Sequence, residues 1–155
     1  MLKTIFNKQS RLIVVSAITM LGVVFSVTAE PFNAYPGKYK SKLVSVETAN
    51  IVYLSVDVWP GYPRNFRISL PNVAVPVNHP EAPACQIELV QKALDFTNEF
   101  MTNAKTIEVR DIKMESTGEE DGVTNIYTNK GSLASKLLKE GLARPVSVDV
   151  TKPWC

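Results

Sequence analysis

The sequence predicts an α+β domain: a five-stranded β-barrel closed in Greek-key order and carrying two helices, in the order β-β-β-α-β-β-α. Three observations carry that expectation. Five short stretches alternate apolar and polar residues, the period of a half-buried strand. Twice the period lengthens to three and four, first between the third and fourth stretches and again after the fifth, as an amphipathic helix requires. Of the ten prolines and seven glycines, none falls inside the two helical stretches. At 155 residues there is room for one such domain.

The chain opens differently. Lys3, Lys8 and Arg11 make a basic start, and residues 12–27 (LIVVSAITMLGVVFSV) follow as an uncharged, mostly apolar run. Val27-Thr28-Ala29 then offers small or β-branched residues, and Glu30 begins a polar stretch. This is the order of an export signal, with cleavage expected between Ala29 and Glu30. The alternative is a retained anchor, for which sixteen residues fall just short of the roughly 20 that span a bilayer. The division expected is a signal peptide over 1–29, a linker or lead-in over 30–41, and a folded domain over 42–155, exported to a periplasm or secreted.

Cleavage changes the charge. Of 17 Lys and Arg, the three named above would be lost, leaving fourteen against 15 Asp and Glu. The mature part is then formally −1, without the positive excess of a protein that grips polyphosphate.

Within the lead-in (EPFNAYPGKYKS), two prolines and a glycine interrupt any period. Lys38, Lys40 and Lys42 around Tyr39 form the most basic spot of the mature chain, a candidate phosphate contact or simply solvated charge on a tether. Residues 42–47 alternate, 51–58 (IVYLSVDV) are β-branched and apolar, and 66–70 make a third strand. Between the last two, Trp59-Pro60-Gly61-Tyr62-Pro63 is a turn. Trp59 and Tyr62 at its tip, with Trp154, are candidate contacts for a partner; core or turn packing is the other reading.

Residues 71–84 hold four prolines and exclude a helix. From 85 to 103, Leu89, Val90, Ala93, Leu94, Phe96, Thr97, Phe100 and Met101 recur at three and four, predicting a helix with that face inward. Residues 105–112 return to alternation, 115–121 (ESTGEED) read as an acidic turn, and 122–128 as the fifth strand. Ser132 suits the cap of a second helix with Leu133, Leu137 and Leu138 inward, and Gly141 the left-handed residue that closes it. This order is that of an OB-type barrel.

Cys85 and Cys155, an even pair in an exported chain, read as a disulfide. Neither a Cys-x-x-Cys pair nor a zinc spacing occurs, and His79 between Asn78 and Pro80 reads as a solvated loop residue.

NIYTNKGSLASKLLKEGLARP (125–145) resembles the C-terminal half of the staphylococcal nuclease (thermonuclease) domain, in which an aromatic strand, a short turn and a helix end in Gly-Leu-Ala-basic. The Trp-Pro-Gly hairpin, residues 73–76, Cys85 opening a helix and the closing Lys-Pro-Trp-Cys resemble its exported bacterial members. The likeness runs from about 42 to 155, without the family's third helix. It implies phosphodiester hydrolysis with calcium: carboxylates to hold the ion, a carboxylate base for the attacking water, and arginines for the charge building on phosphorus oxygens.

Carried over position by position, that machinery is largely replaced. The Asp-Gly-Asp-Thr motif falls on residues 47–50, keeping Glu47 but putting Ala49 at a metal position. The Asp-Thr-Pro-Glu motif falls on residues 74–77, so Ala74 stands at a metal position and Val77 at the base. The preceding arginine becomes Ser69, or Arg67 if two residues are inserted. The Arg-Gly motif falls on Asp121-Gly122, reversing the charge. Coupled losses of this kind leave little catalysis. The expected function is therefore a non-catalytic binding module for a protein, peptide, glycan or, less favoured by charge, nucleic acid, with no cofactor and no membrane contact after cleavage. The alternative is a divergent calcium-dependent nuclease rebuilt around Glu47.

Overall fold

Alternation builds the first three strands. The computed structural model describes residues 32–114, 120–148 and 152–155; the export segment, with its expected cleavage point at Ala29 and Glu30, lies outside the described residues. Strands β1 (Phe32–Thr48), β2 (Ile51–Trp59) and β3 (Tyr62–Ser69) pair antiparallel in sequence order. Val52, Leu54 and Val56 of β2, with Phe66 and Ile68 of β3, are buried while the residues between them are not. Successive side chains of a strand point to opposite faces, so this is the period-two pattern made physical.

After a two-residue strand, β4 (Val73–Ala74), helix α1 runs over Ala84–Thr102. Its Ala93, Thr97, Phe100 and Met101 enter the core. Then follow β5 (Ile107–Met114), β6 (Asp121–Val123), β7 (Ile126–Thr128), β8 (Gly131–Ser132), α2 (Leu133–Lys139) and β9 (Arg144–Pro145). The molecule is α+β, with a seven-stranded sheet in the order β1-β2-β3-β6-β5-β7-β8 and a two-stranded sheet of β4 and β9. In the larger sheet β1 also pairs with β5 antiparallel, and β3 lies parallel to β6.

Four expectations are corrected. Residues 32–41 are not a linker: they are the first half of β1, paired with β5 through Tyr35↔Ile112 and Tyr39↔Val109. The breakers Pro36 and Gly37 are absorbed in a bulge, where Gly37 (φ 108°) and Asp111 (φ 50°) both take left-handed backbone. The Gly37 N–H donates to Asp111 Oδ1 at 2.8 Å and ties the bulge across the two strands. The strand expected over 122–128 is two strands, because Thr124 turns the chain: its N–H donates to the Ser69 carbonyl at 3.2 Å and its hydroxyl to the Arg110 carbonyl. Asp121, expected in a turn, is already in β6. In α2, Leu133 and Leu137 are buried as expected, but Leu138 is exposed and Ala134 is buried in its place.

Two residues work as predicted from local chemistry. The Ser132 hydroxyl accepts the Ser135 N–H at 3.5 Å at the start of α2, and Gly141 (φ 68°) follows its end. The Leu142 N–H then closes on the Leu137 carbonyl at 2.9 Å. Gly122 has a different reason to be glycine: a Cβ there would lie 2.7 Å from Ile112 Cγ2, so β6 approaches β5 only without a side chain.

Candidate functional site

The turn between β1 and β2 forms the first wall of a cleft. Thr48 Oγ1 donates to Asn50 Oδ1 at 3.0 Å, which shapes the turn locally. Ala49 is buried, and its carbonyl accepts the buried Thr97 hydroxyl of α1 at 2.9 Å. The second wall is the proline-bearing stretch 74–78, whose Val77 carbonyl accepts Gln86 Nε2 at 2.8 Å. Both walls are therefore fastened to α1, and Val90 and Leu94 of that helix complete the enclosure. The cleft measures about 570 Å³, within the roughly 300–1,000 Å³ of small-ligand sites.

Its lining is Glu47, Thr48, Ala49, Asn50, Ile51, Ala74, Val75, Pro76, Val77, Asn78, Val90 and Leu94. Four of the positions singled out by sequence, Glu47, Ala49, Ala74 and Val77, thus share one cavity, although they come from separate segments. Ser69 and Arg67 do not line it. They point along the same face of β3, where Ser69 pairs with Ile51 and Val123.

Arg67 instead organises the polar edge. Its Nε and Nη2 each donate to a Glu47 carboxylate oxygen at 2.7 Å, and its Nη1 donates to Asp121 Oδ1 at 2.9 Å. Register explains the convergence: Arg67 stands opposite Tyr53 on β2 and opposite Asp121 on β6. The hydrogen bonds from Arg67, helped by its charge, hold the Glu47 carboxyl below the usual glutamate range. The same bonds, first to Glu47 and then to Asp121, push the Arg67 guanidinium further toward its charged form. All three guanidinium nitrogens donate to carboxylates of the protein itself, so the positive charge of Arg67 is already matched twice over before any phosphate approaches.

Chemically, the cleft offers an apolar surface with one carboxylate at its edge. Among the described residues no cluster of three or more His, Cys, Asp or Glu is placed to hold a metal. Glu47 is the one charged residue in the lining, and both its oxygens face a guanidinium. Calcium takes six to eight oxygen ligands; these residues do not fit it.

The other sequence candidates lie apart from the cleft. Trp59 and Tyr62 face each other across the β2–β3 turn and are 68% and 72% exposed, so they are surface aromatics rather than core. Lys38, Lys40 and Lys42 are exposed in alternation along β1, on a strand and not a tether. Cys85 and Cys155 form the expected disulfide, with Cα atoms 6.3 Å apart. Trp154 is half-buried beneath the Arg144 guanidinium, 4.2 Å from its ring centroid. Sequence reasoning missed that Arg144 also donates to the Lys152 and Pro153 carbonyls at 3.1 and 2.9 Å, clasping the tail. Gln86 was missed altogether; Thr97 was placed on the inner face of the helix, but its bond to the Ala49 carbonyl was not foreseen. Comparison of the chain with protein-family models and with curated proteins gives no match.

Proposed function

We propose that this chain is an exported, non-catalytic binding module, a degenerate form of the staphylococcal nuclease-like domain on an OB-type barrel. It holds a protein, peptide or other polymer partner where a nuclease would hold its metal. One observation carries the reading: Ala49, Ala74 and Val77, the positions matched to the metal and base carboxylates, line a single apolar cleft. A site built for hydrolysis concentrates charge where this one concentrates methyl groups.

The barrel reading rests on the strand pairings. β1 pairs with β2 on one side and β5 on the other, and β3 runs parallel to β6, which in turn pairs with β5. Export is supported by the N-terminal pattern and agrees with a disulfide, which persists in oxidising compartments. Nucleic acid is disfavoured, because Asp121 replaces a cation and Arg67 is neutralised by two carboxylates.

The test is hydrolysis of fluorogenic DNA and RNA by the purified exported protein with millimolar calcium, magnesium or manganese. The expected result is no cleavage above a Glu47→Ala control, and no rise in melting temperature with calcium, since a ligand that does not bind the native state does not stabilise it. Metal-dependent cleavage lost in Glu47→Ala would establish the divergent nuclease instead.

A further inference from the structure

We propose that the cleft selects a cationic partner: a peptide segment that seats an apolar side chain in the cavity and sets a lysine, an arginine or its N-terminal amine against the rim. This rests on the reading of the cleft as a binding site and adds the chemistry of what it binds.

The polar edge that begins at Glu47 and runs outward from the cleft carries a net negative charge. Glu47 and Asp121 share one guanidinium, so the triad is formally −1. Asp121 is its open end, with a side chain 65% exposed and only Oδ1 committed to Arg67. The helical rim has the same sign. With Val90 and Leu94 facing the cleft, the 3.6-residue repeat sets Gln91, Asp95 and Asn98 along its outer edge and turns Lys92 to the far side. Asp95 accepts a hydrogen bond from Gln91 at 2.8 Å but meets no cation there among the described residues.

The cation of the small sheet is also spent elsewhere. Arg144 pairs beside Ala74 in the small sheet, yet its guanidinium lies on Trp154 and bonds two carbonyls of the chain's own tail. An anion approaching this face therefore meets Asp121 beyond Arg67 and Asp95 on the helix, while a cation finds in both an exposed carboxylate. The lip itself is apolar, with Val77 60% and Ile87 45% exposed. An apolar group flanked by a positive charge satisfies both features together; a phosphate polymer satisfies neither.

The test is an NMR titration of the exported protein, following backbone amides, with two blocked peptides that differ at one residue. They are acetyl-Gly-Leu-Leu-Lys-Gly-amide and its counterpart with Glu in place of Lys. The Lys peptide is expected to shift the amides of Ala49, Ala74, Val77, Val90 and Leu94 and to bind about tenfold more tightly than the Glu peptide at low salt. The preference should shrink on adding salt and in Asp121→Asn, while Val77→Asn, an uncharged change at an exposed position, should weaken both peptides. Equal affinities with the cleft amides shifting would overturn the charge selection and leave the cleft reading standing. A preference for the Glu peptide would overturn it too. Shifts confined to other surfaces, or no shift of the cleft amides with either peptide or with dodecyltrimethylammonium at millimolar concentration, would overturn the cleft reading as well. If dodecyltrimethylammonium shifts the cleft amides and neither peptide does, the partner is an amphiphile and the peptide assignment fails.

Discussion

Glu47 shows how a carboxylate at the edge of a cleft can be committed within the protein. Both its oxygens accept Arg67, so it neutralises a cation rather than gathering one. The consequence is measurable in acid. The folded-state carboxyl titrates below the ordinary 4.5, mainly because of the Arg67 hydrogen bonds. A carboxyl lowered in the folded state contributes stability that is present above the unfolded value and lost as pH falls through the folded one. Wild-type melting temperature should therefore drop on acidification below about pH 5, and Glu47→Gln should flatten part of that drop. Thermal melts across the acid range check it; identical slopes for the two proteins would mean that the ion pair is not populated in solution.

At the scale of elements, α1 does two jobs. Its inner residues fill the core, while Gln86 and Thr97 reach past it to fasten the two cleft walls. The sequence period assigned Leu89, Val90 and Leu94 to the same inward face as Ala93 and Phe100. They are only half-buried, and Val90 and Leu94 line the cleft. Periodicity reports which residues avoid water on one face; it does not report whether another element covers them. Thr97→Val tests the fastening. The change keeps the shape but leaves the Ala49 carbonyl without its donor, which should cost about 1–3 kcal/mol in denaturant unfolding. A loss near zero would show that the wall holds without the bond.

For the whole molecule, the decisive long-range tie is the bridge between Cys85 at the start of α1 and Cys155, 70 positions away. Closing a loop of that length restricts the unfolded chain and contributes roughly 4 kcal/mol in the chain-entropy account, a large share of the roughly 5–15 kcal/mol of a typical domain. The Arg144 clasp holds the same tail non-covalently, through contacts that do not involve the sulfurs. Cys155→Ser should thus still fold, with a melting temperature lower by roughly 10 °C. Thiol titration of unfolded, unreduced protein should find none in the wild type and one in the variant. Two thiols in the wild type would rule the bridge out.

Local chemistry was enough for the sequence to place most elements. The alternation over residues 51–58, the lengthened period after Cys85, the Ser132 cap and the Gly141 closure each depend on near neighbours, and each appears in the structure. The pair of cysteines was legible for a similar reason, since compartment and parity restrict what two thiols do. Residues 32–41 were not legible, because a strand broken by Pro36 and Gly37 holds only when a partner supplies the other side of the bulge, and Asp111 does so from 74 positions away. The site divides in the same manner. Sequence named Glu47, Ala49, Arg67, Ala74, Val77 and Asp121 one at a time. Only tertiary structure joined Arg67 to carboxylates 20 and 54 positions distant and drew the small apolar residues around one cavity. Side-chain identity sets what each group can do, but charge pairing and enclosure depend on distance in space, and folding alone sets that distance.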